Sequence, residues 1–166
     1  MNGIALTLRA LHHGERSLAR HLVAAGERHS TEHEVRHVAI DLAGWSRAHA
    51  DRLAETAADR DVRLFGPDSP GGPPPAGPLA TLREKAAEAL GDRPEPGLLL
   101  LWDLRRLHLA AAGNSVYWEM LAQAAQAARD EALLGLVTDC HPRTLRQMRW
   151  TNTMIKVLSP QTLTAL

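Results

Sequence analysis

Four stretches of the chain set apolar residues at alternating steps of three and four, and no stretch alternates with period two over the length of a strand. Such spacing lays one apolar stripe along a helix and cannot line one face of a sheet. The chain is therefore expected to be all-α. The first row is Ile4, Leu8, Leu11, Glu15, Leu18, Leu22 and Ala25, and the second is Val35, Val38, Leu42, Trp45 and His49. The third is Leu100, Leu104, Leu107, Ala111, Asn114, Trp118, Leu121 and Ala125. The fourth is Leu134, Val137 or Thr138, His141, Leu145, Met148 and Ile155. They predict helices over about 3–28, 31–60, 97–128 and 130–157. Ser30 or Thr31 is expected to cap the second helix, with Glu32 and Glu34 in its first turn. Pro94 and Pro96 suit the start of the third. In the fourth, Pro142 predicts a kink near Cys140–His141, and Pro160 predicts the stop.

Eight of the ten prolines lie between Val62 and Gly97, including the run GPDSPGGPPPAGP at 66–78. This segment excludes a regular helix or a central strand. It leaves one short helical candidate, 79–90, and the run 66–78 is expected to be extended or mobile at the surface. The helices within each half are joined by only a few residues, which makes them antiparallel neighbours. The proline-rich connection over 62–96 is long enough to travel the length of the molecule. The expected architecture is a four-helix bundle with one long crossover, a single domain over 1–166.

Composition narrows the function. Formal net charge is zero, so no whole-molecule field attracts nucleic acid or an anionic membrane. The single cysteine, Cys140, excludes an internal disulfide and a multi-cysteine metal site. The longest apolar run, Leu98–Trp102, is far short of the roughly 20 residues that span a bilayer. The first residues lack a basic segment followed by an apolar one, so a cytoplasmic location is the expectation.

Each apolar row is broken by one strongly polar residue: Glu15, His49, Asn114 and His141. With the first turn centred near residue 29, Glu15 faces residue 43 or 44, and His49 lies about 7 Å further along the axis. Side chains lean toward the N-terminus of their own helix, so Glu15 and His49 lean together in an antiparallel pair. The crossover puts residues 111–114 level with Glu15, and the second turn puts His141 opposite Tyr117. All four are expected in one layer, with Gly14, Gly44 and Gly113 beside it making room. A buried carboxylate without a partner is costly. Either Glu15 hydrogen-bonds His49 or Asn114 in a closed network, or it holds one Fe, Mn or Zn ion together with His49 and His141. Asn114 would then support the ligands, and His12 or Asp41 would replace His49 if the register shifted. An organic ligand or a haem between two histidines also stays open.

The layout of four helices, a crossover after the second and core ligands from every helix resembles the ferritin-like superfamily. The region QAAQAARDEALLGLVTDCHPRTLRQMRW, 123–150, is similar to small bacterial ferritin-like proteins. The resemblance implies a bundle fold and a metal-handling or redox role. Di-iron members of that superfamily carry a glutamate on two helices and Glu-x-x-His on the other two. Here only Glu15 matches that pattern. The corresponding places hold Asp41 and Gly44, Asn114, and Thr138 three residues before His141. One ion rather than two is therefore expected, and no enzymatic reaction is assigned.

Other residues carry weaker chemistry. The run ERHSTEHEVRH, 27–37, contains a Glu-x-x-His at Glu34–His37, about 10 Å from the layer of Glu15. It is expected to be a solvated helix start. Arg143, Arg146, Arg149 and Lys156 form a basic face without interleaved aromatics, expected to be solvated. Asp103 is expected to pair with an arginine, and Cys140 to be a buried small side chain. The rival to the metal-binding reading is a non-enzymatic interaction module with a degenerate site, meeting a homodimer or protein partner through the proline-rich connection or the basic face.

Overall fold

A computed structural model describes residues 2–65 and 95–165, all in helices and short connections. The helices are α1 (Gly3–Arg28), α2 (His33–Ala58), α3 (Pro96–Ala128) and α4 (Glu131–Thr164). They form an all-α four-helix bundle. The expected short helix over 79–90 and the run 66–78 lie outside the described residues.

Ion pairs and core contacts fix the topology. Arg28 and His29, at the end of α1, meet Asp103 near the start of α3, and Glu15 meets Trp118 halfway along. α1 and α3 are therefore antiparallel neighbours. Gln147 of α4 meets Leu42 and Ser46 of α2, and Arg60, just past α2, meets Asp130 just before α4. α2 and α4 are antiparallel too, while α1 and α4, like α2 and α3, sit diagonally. The chain leaves α2 at the Arg60–Asp130 end and returns at Glu95 at the opposite end, where Gly97 lies against Thr162. That is the expected crossover.

Helix ends follow local chemistry. Asn2 caps α1 by accepting the Ile4 N–H at 3.0 Å. Asp130 caps α4 by accepting the Leu133 N–H at 3.0 Å, and Arg60 holds its carboxyl below the usual carboxylate range, with the Leu133 bond acting in the same direction. The expected Ser30 or Thr31 cap is corrected: Glu32 occupies the cap position of α2 and makes no side-chain cap bond. The expected stop at Pro160 is also corrected, because α4 runs unbroken through Pro142 and Pro160 to Thr164. Proline removes a donor but does not end a helix whose flank is packed. The last turns lie along the start of α3, and the Ser159 hydroxyl donates to the Ile155 carbonyl beside the proline.

α3 ends on Arg129, whose φ of 54° is left-handed. An L side chain pays roughly 1–2 kcal/mol there. Arg129→Gly is expected to raise the unfolding free energy by about 1 kcal/mol, read from a urea transition; an unchanged midpoint would contradict it.

The rows on α1 and α3 face inward as expected, apart from a half-buried Ile4. On α4 the face is rotated by one residue. Leu133, Val137, Cys140, Thr144, Gln147 and Thr151 are buried, whereas the expected Leu145 is 45% exposed and His141 lies on the flank. Two of these polar residues find partners there, while Thr144 Oγ1 and Gln147 Oε1 have none. The Gln147 amide donates to Ser46 Oγ and to the Leu42 carbonyl at 2.9 and 3.1 Å, and the Thr151 hydroxyl donates to the Gln147 carbonyl at 3.1 Å.

Candidate functional site

The apolar core is interrupted at the height of Glu15. On one side Leu8, Leu11, Leu53, Trp118 and Leu133 pack together; on the other, Leu18, Leu22, Leu42 and Leu107 do. Between them α1 supplies Glu15, α2 supplies His49, and α3 supplies Asn114 and Trp118. Glu15 is 0% exposed and His49 1%, so water does not reach the pair from the surface.

The Trp118 indole N–H donates to Glu15 Oε1 at 3.1 Å. His49 Nδ1 lies 3.3 Å from the same oxygen, but without the alignment of a hydrogen bond. The imidazole stands edge-on to the Trp118 ring, centroids 5.8 Å apart. Glu15 Oε2, both His49 nitrogens and Asn114 Nδ2 have no hydrogen-bond partner. Four such positions in one buried layer are unusual, since buried polar groups are almost always paired. The layer is therefore not a closed network of its own side chains.

Among the expected site residues, Glu15 and His49 meet, and Asn114 lies against Gly14 beside them. His141 is level with them but turns to the α3 flank. Its Nε2 is 2.8 Å from Ser115 Oγ, and its Nδ1 is 3.7 Å from Glu119 Oε1. Its place toward the core is taken by Cys140 and Thr144, a consequence of the rotated face of α4. Among the described residues no three His, Cys, Asp or Glu side chains are grouped as a metal cage. Asp41 is exposed and does not substitute for His49. His12 is buried, but in a groove of about 490 Å³ between α1 and α2, beside Arg16, Arg47 and Asp51.

The three glycines part company. A Cβ on Gly14 would sit 2.2 Å from Asn114 Oδ1, so this glycine makes room for the layer. Gly44 and Gly113 face open space, which corrects the expectation for them. Glu34 and His37 are exposed, and Asp103 meets Arg28 through both carboxylate oxygens at 2.8 Å. Sequence reasoning passed over the Trp118 N–H as the partner of Glu15, although Trp118 stands four residues after Asn114 in the same row. It also passed over His29, which bonds Asp103 at 2.8 Å.

Cys140 is buried beside Arg52, 3.8 Å from its guanidinium. Burial pushes the thiol up to about 11, with Arg52 opposing and Glu15 adding to the rise. A thiol so placed is no nucleophile at neutral pH.

Burial lowers the pKa of His12, His13 and His21, and neighbouring arginines lower it further. The unfolded chain therefore takes up these protons more readily than the folded one. Their contribution to stability is complete above the ordinary value of 6.5 and is lost as pH falls through it toward the lowered values. The urea midpoint is expected to fall between about pH 7 and pH 5. Replacing the three histidines by glutamine should flatten that fall, and an equally steep profile in the variant would refute the assignment.

No family model, curated protein or solved structure matches the chain. None of the described helices is long and apolar enough to cross a membrane.

Proposed function

We propose that the protein is a ferritin-like bundle that holds one metal ion in the Glu15–His49 layer, in a metal-handling or redox role. The observation that carries this reading is the set of orphaned atoms: Glu15 Oε2, both nitrogens of His49 and Asn114 Nδ2 have no partner and no access to bulk water. A cation between Glu15 and His49 would give His49 Nδ1 the partner it lacks, and further non-protein ligands on that ion would meet Glu15 Oε2 and the Asn114 amide. The spacing fits as well. Two ligands bonded at 2.0–2.2 Å to one ion stand about 3.0–3.4 Å apart, and Glu15 Oε1 and His49 Nδ1 are 3.3 Å apart without a hydrogen bond. A carboxylate and an imidazole are donor types that suit Fe(II), Mn(II) or Zn(II), and the other coordination positions would fall to non-protein ligands. The Trp118 N–H, bonded to the same Oε1, would hold the carboxylate in place, and Asn114 would orient a non-protein ligand. His141, bonded to Ser115, is left out of the ligand set.

The rival reading, a structural or interaction module with a degenerate site, is favoured by one observation. Only two of the three expected ligands converge, and Glu15 already accepts a hydrogen bond from Trp118. Cobalt(II) separates the two readings. Adding it to metal-free protein is expected to produce a visible absorption band and raise the melting temperature. At a hundred times Kd the stabilisation is about 2.7 kcal/mol. Both effects should vanish in Glu15→Gln. No band in the natural protein, or an equal band in the variant, would refute the metal site.

A further inference from the structure

Helix α3 is longer than its buried row requires, and its outer face is apolar. Trp102, Leu109 and Val116 are 54%, 52% and 60% exposed, and Met120 is half exposed. Isolated exposed apolar residues need no explanation, but a row of them along one helix marks a contact surface. Three rows of seven-residue spacing run along this face: Trp102–Leu109–Val116–Gln123, Arg105–Ala112–Glu119 and Arg106–Gly113–Met120. Spacing of seven holds two helices in register along a shallow crossing. The midpoints of the three rows fall within half a residue of the point between Ala112 and Gly113. We infer that this face is a homodimer interface, in which α3 packs antiparallel against α3 of a second copy about a two-fold axis at Ala112–Gly113.

In an antiparallel pair related by a two-fold axis, each flanking row meets its own copy. An axis midway between Ala112 and Gly113 then sets Arg105 of each chain within one residue of Glu119 of the other, giving two ion pairs of opposite charge at the ends. Leu109 falls opposite Val116, and the exposed Trp102 covers the stem of Gln123. The crossing point is occupied by the two smallest residues of the face. A Cβ on Gly113 would meet nothing within 4 Å in its own chain, so the space outside it is free for a second backbone. The charges are available. Arg105 is exposed and makes no ion pair among the described residues, and the Glu119 side chain is 62% exposed, with only a long 3.7 Å contact to His141. A parallel pairing would bring the two different flanking rows together, Arg105 beside Arg106 and Glu119 beside Met120, with no ion pair, so the charges select the antiparallel one.

The surface is also large enough. Residues 102–123 span about 32 Å of helix. α4 extends the face: His141 bonds Ser115 and Thr151 bonds His108, so the exposed Leu145 comes level with Ala111 and Ala112. Two helices about 10 Å wide over that length approach the roughly 800 Å² per partner of a standard interface.

Sedimentation equilibrium and light scattering on the full chain test this. The natural protein is expected at twice the 18.1 kDa of one chain at micromolar concentration. Arg105→Glu and Glu119→Arg should each weaken the dimer at least tenfold, and the two together should restore it. Val116→Asp should give a monomer that melts at the temperature of the natural chain extrapolated to low concentration. A natural protein that stays monomeric through the micromolar range, with another partner or the chain's own residues over this face, would overturn the proposal. A double charge reversal no tighter than either single one would do the same.

Discussion

Trp118→Ala is expected to lower the unfolding free energy by about 3–5 kcal/mol, the range for a large aromatic removed from a packed core. Trp118 is the largest side chain with no solvent exposure, and it has two roles. Its ring packs with Leu8, Leu11 and Leu133, and its N–H is the one hydrogen-bond donor to Glu15 among the described residues. Removing it both opens a cavity and strips a buried carboxylate of its donor. Against a total stability of about 5–15 kcal/mol, such a loss leaves a marginal protein. Trp118→Phe divides the two effects, because the benzyl ring fills much of the space and donates nothing. It is expected to cost about 1–3 kcal/mol, set by the unpaired carboxylate as well as by the smaller ring. Urea transitions followed by circular dichroism give both numbers. An alanine variant within about 1 kcal/mol of the natural chain would refute this placement of Trp118.

Gly14→Ala is the second large effect, and its sign is the informative part. In a helix interior alanine gains about 1 kcal/mol over glycine. At Gly14 the added methyl would meet Asn114 Oδ1 at 2.2 Å, and Asn114 is itself buried. The amide has to turn into the Glu15 layer or push α1 from α3, so a net loss of about 1–3 kcal/mol is expected. Gly44→Ala is the control: nothing lies within 4 Å of its Cβ, and it should gain close to the full helix preference. Asn114→Ala in the Gly14→Ala background should recover most of the loss, a coupling that a double-mutant cycle measures directly. Two glycines responding alike would mean that Gly14 is not pressed against Asn114.

Much of this architecture was legible because apolar spacing and proline placement act locally. The ends of α1 and α3 and the reversal of the second half were all readable from helix period and connection length. So was the common height of Glu15, His49, Asn114 and His141, since rise per residue and turn position fix height. Rotation about the axis was less legible. On α4 the apolar spacing points to Leu145 and Met148, whereas Leu145 is exposed, Met148 is only partly buried, and the buried row one residue back holds Thr144 and Gln147. The interior face is the polar one, because Ser46 and the Leu42 carbonyl on α2 meet the Gln147 amide. Those partners come from a different helix and cannot be read from α4 alone. The same rotation carried His141 out of the layer. Pro160 does not stop α4 either: the Ser159 hydroxyl donates to the Ile155 carbonyl beside it, and Thr162 in the following turn lies against Gly97 at the start of α3.

The most direct test of the central claim is the metal content of the protein, purified without a histidine tag and dialysed free of loose ions. The Glu15–His49 layer predicts close to one Fe, Mn or Zn ion per chain in the natural protein and none in Glu15→Gln, with both chains equally helical. Natural protein without metal after growth in metal-replete medium, or the same content in the variant, would contradict it and leave Glu15 as a buried acid held by Trp118.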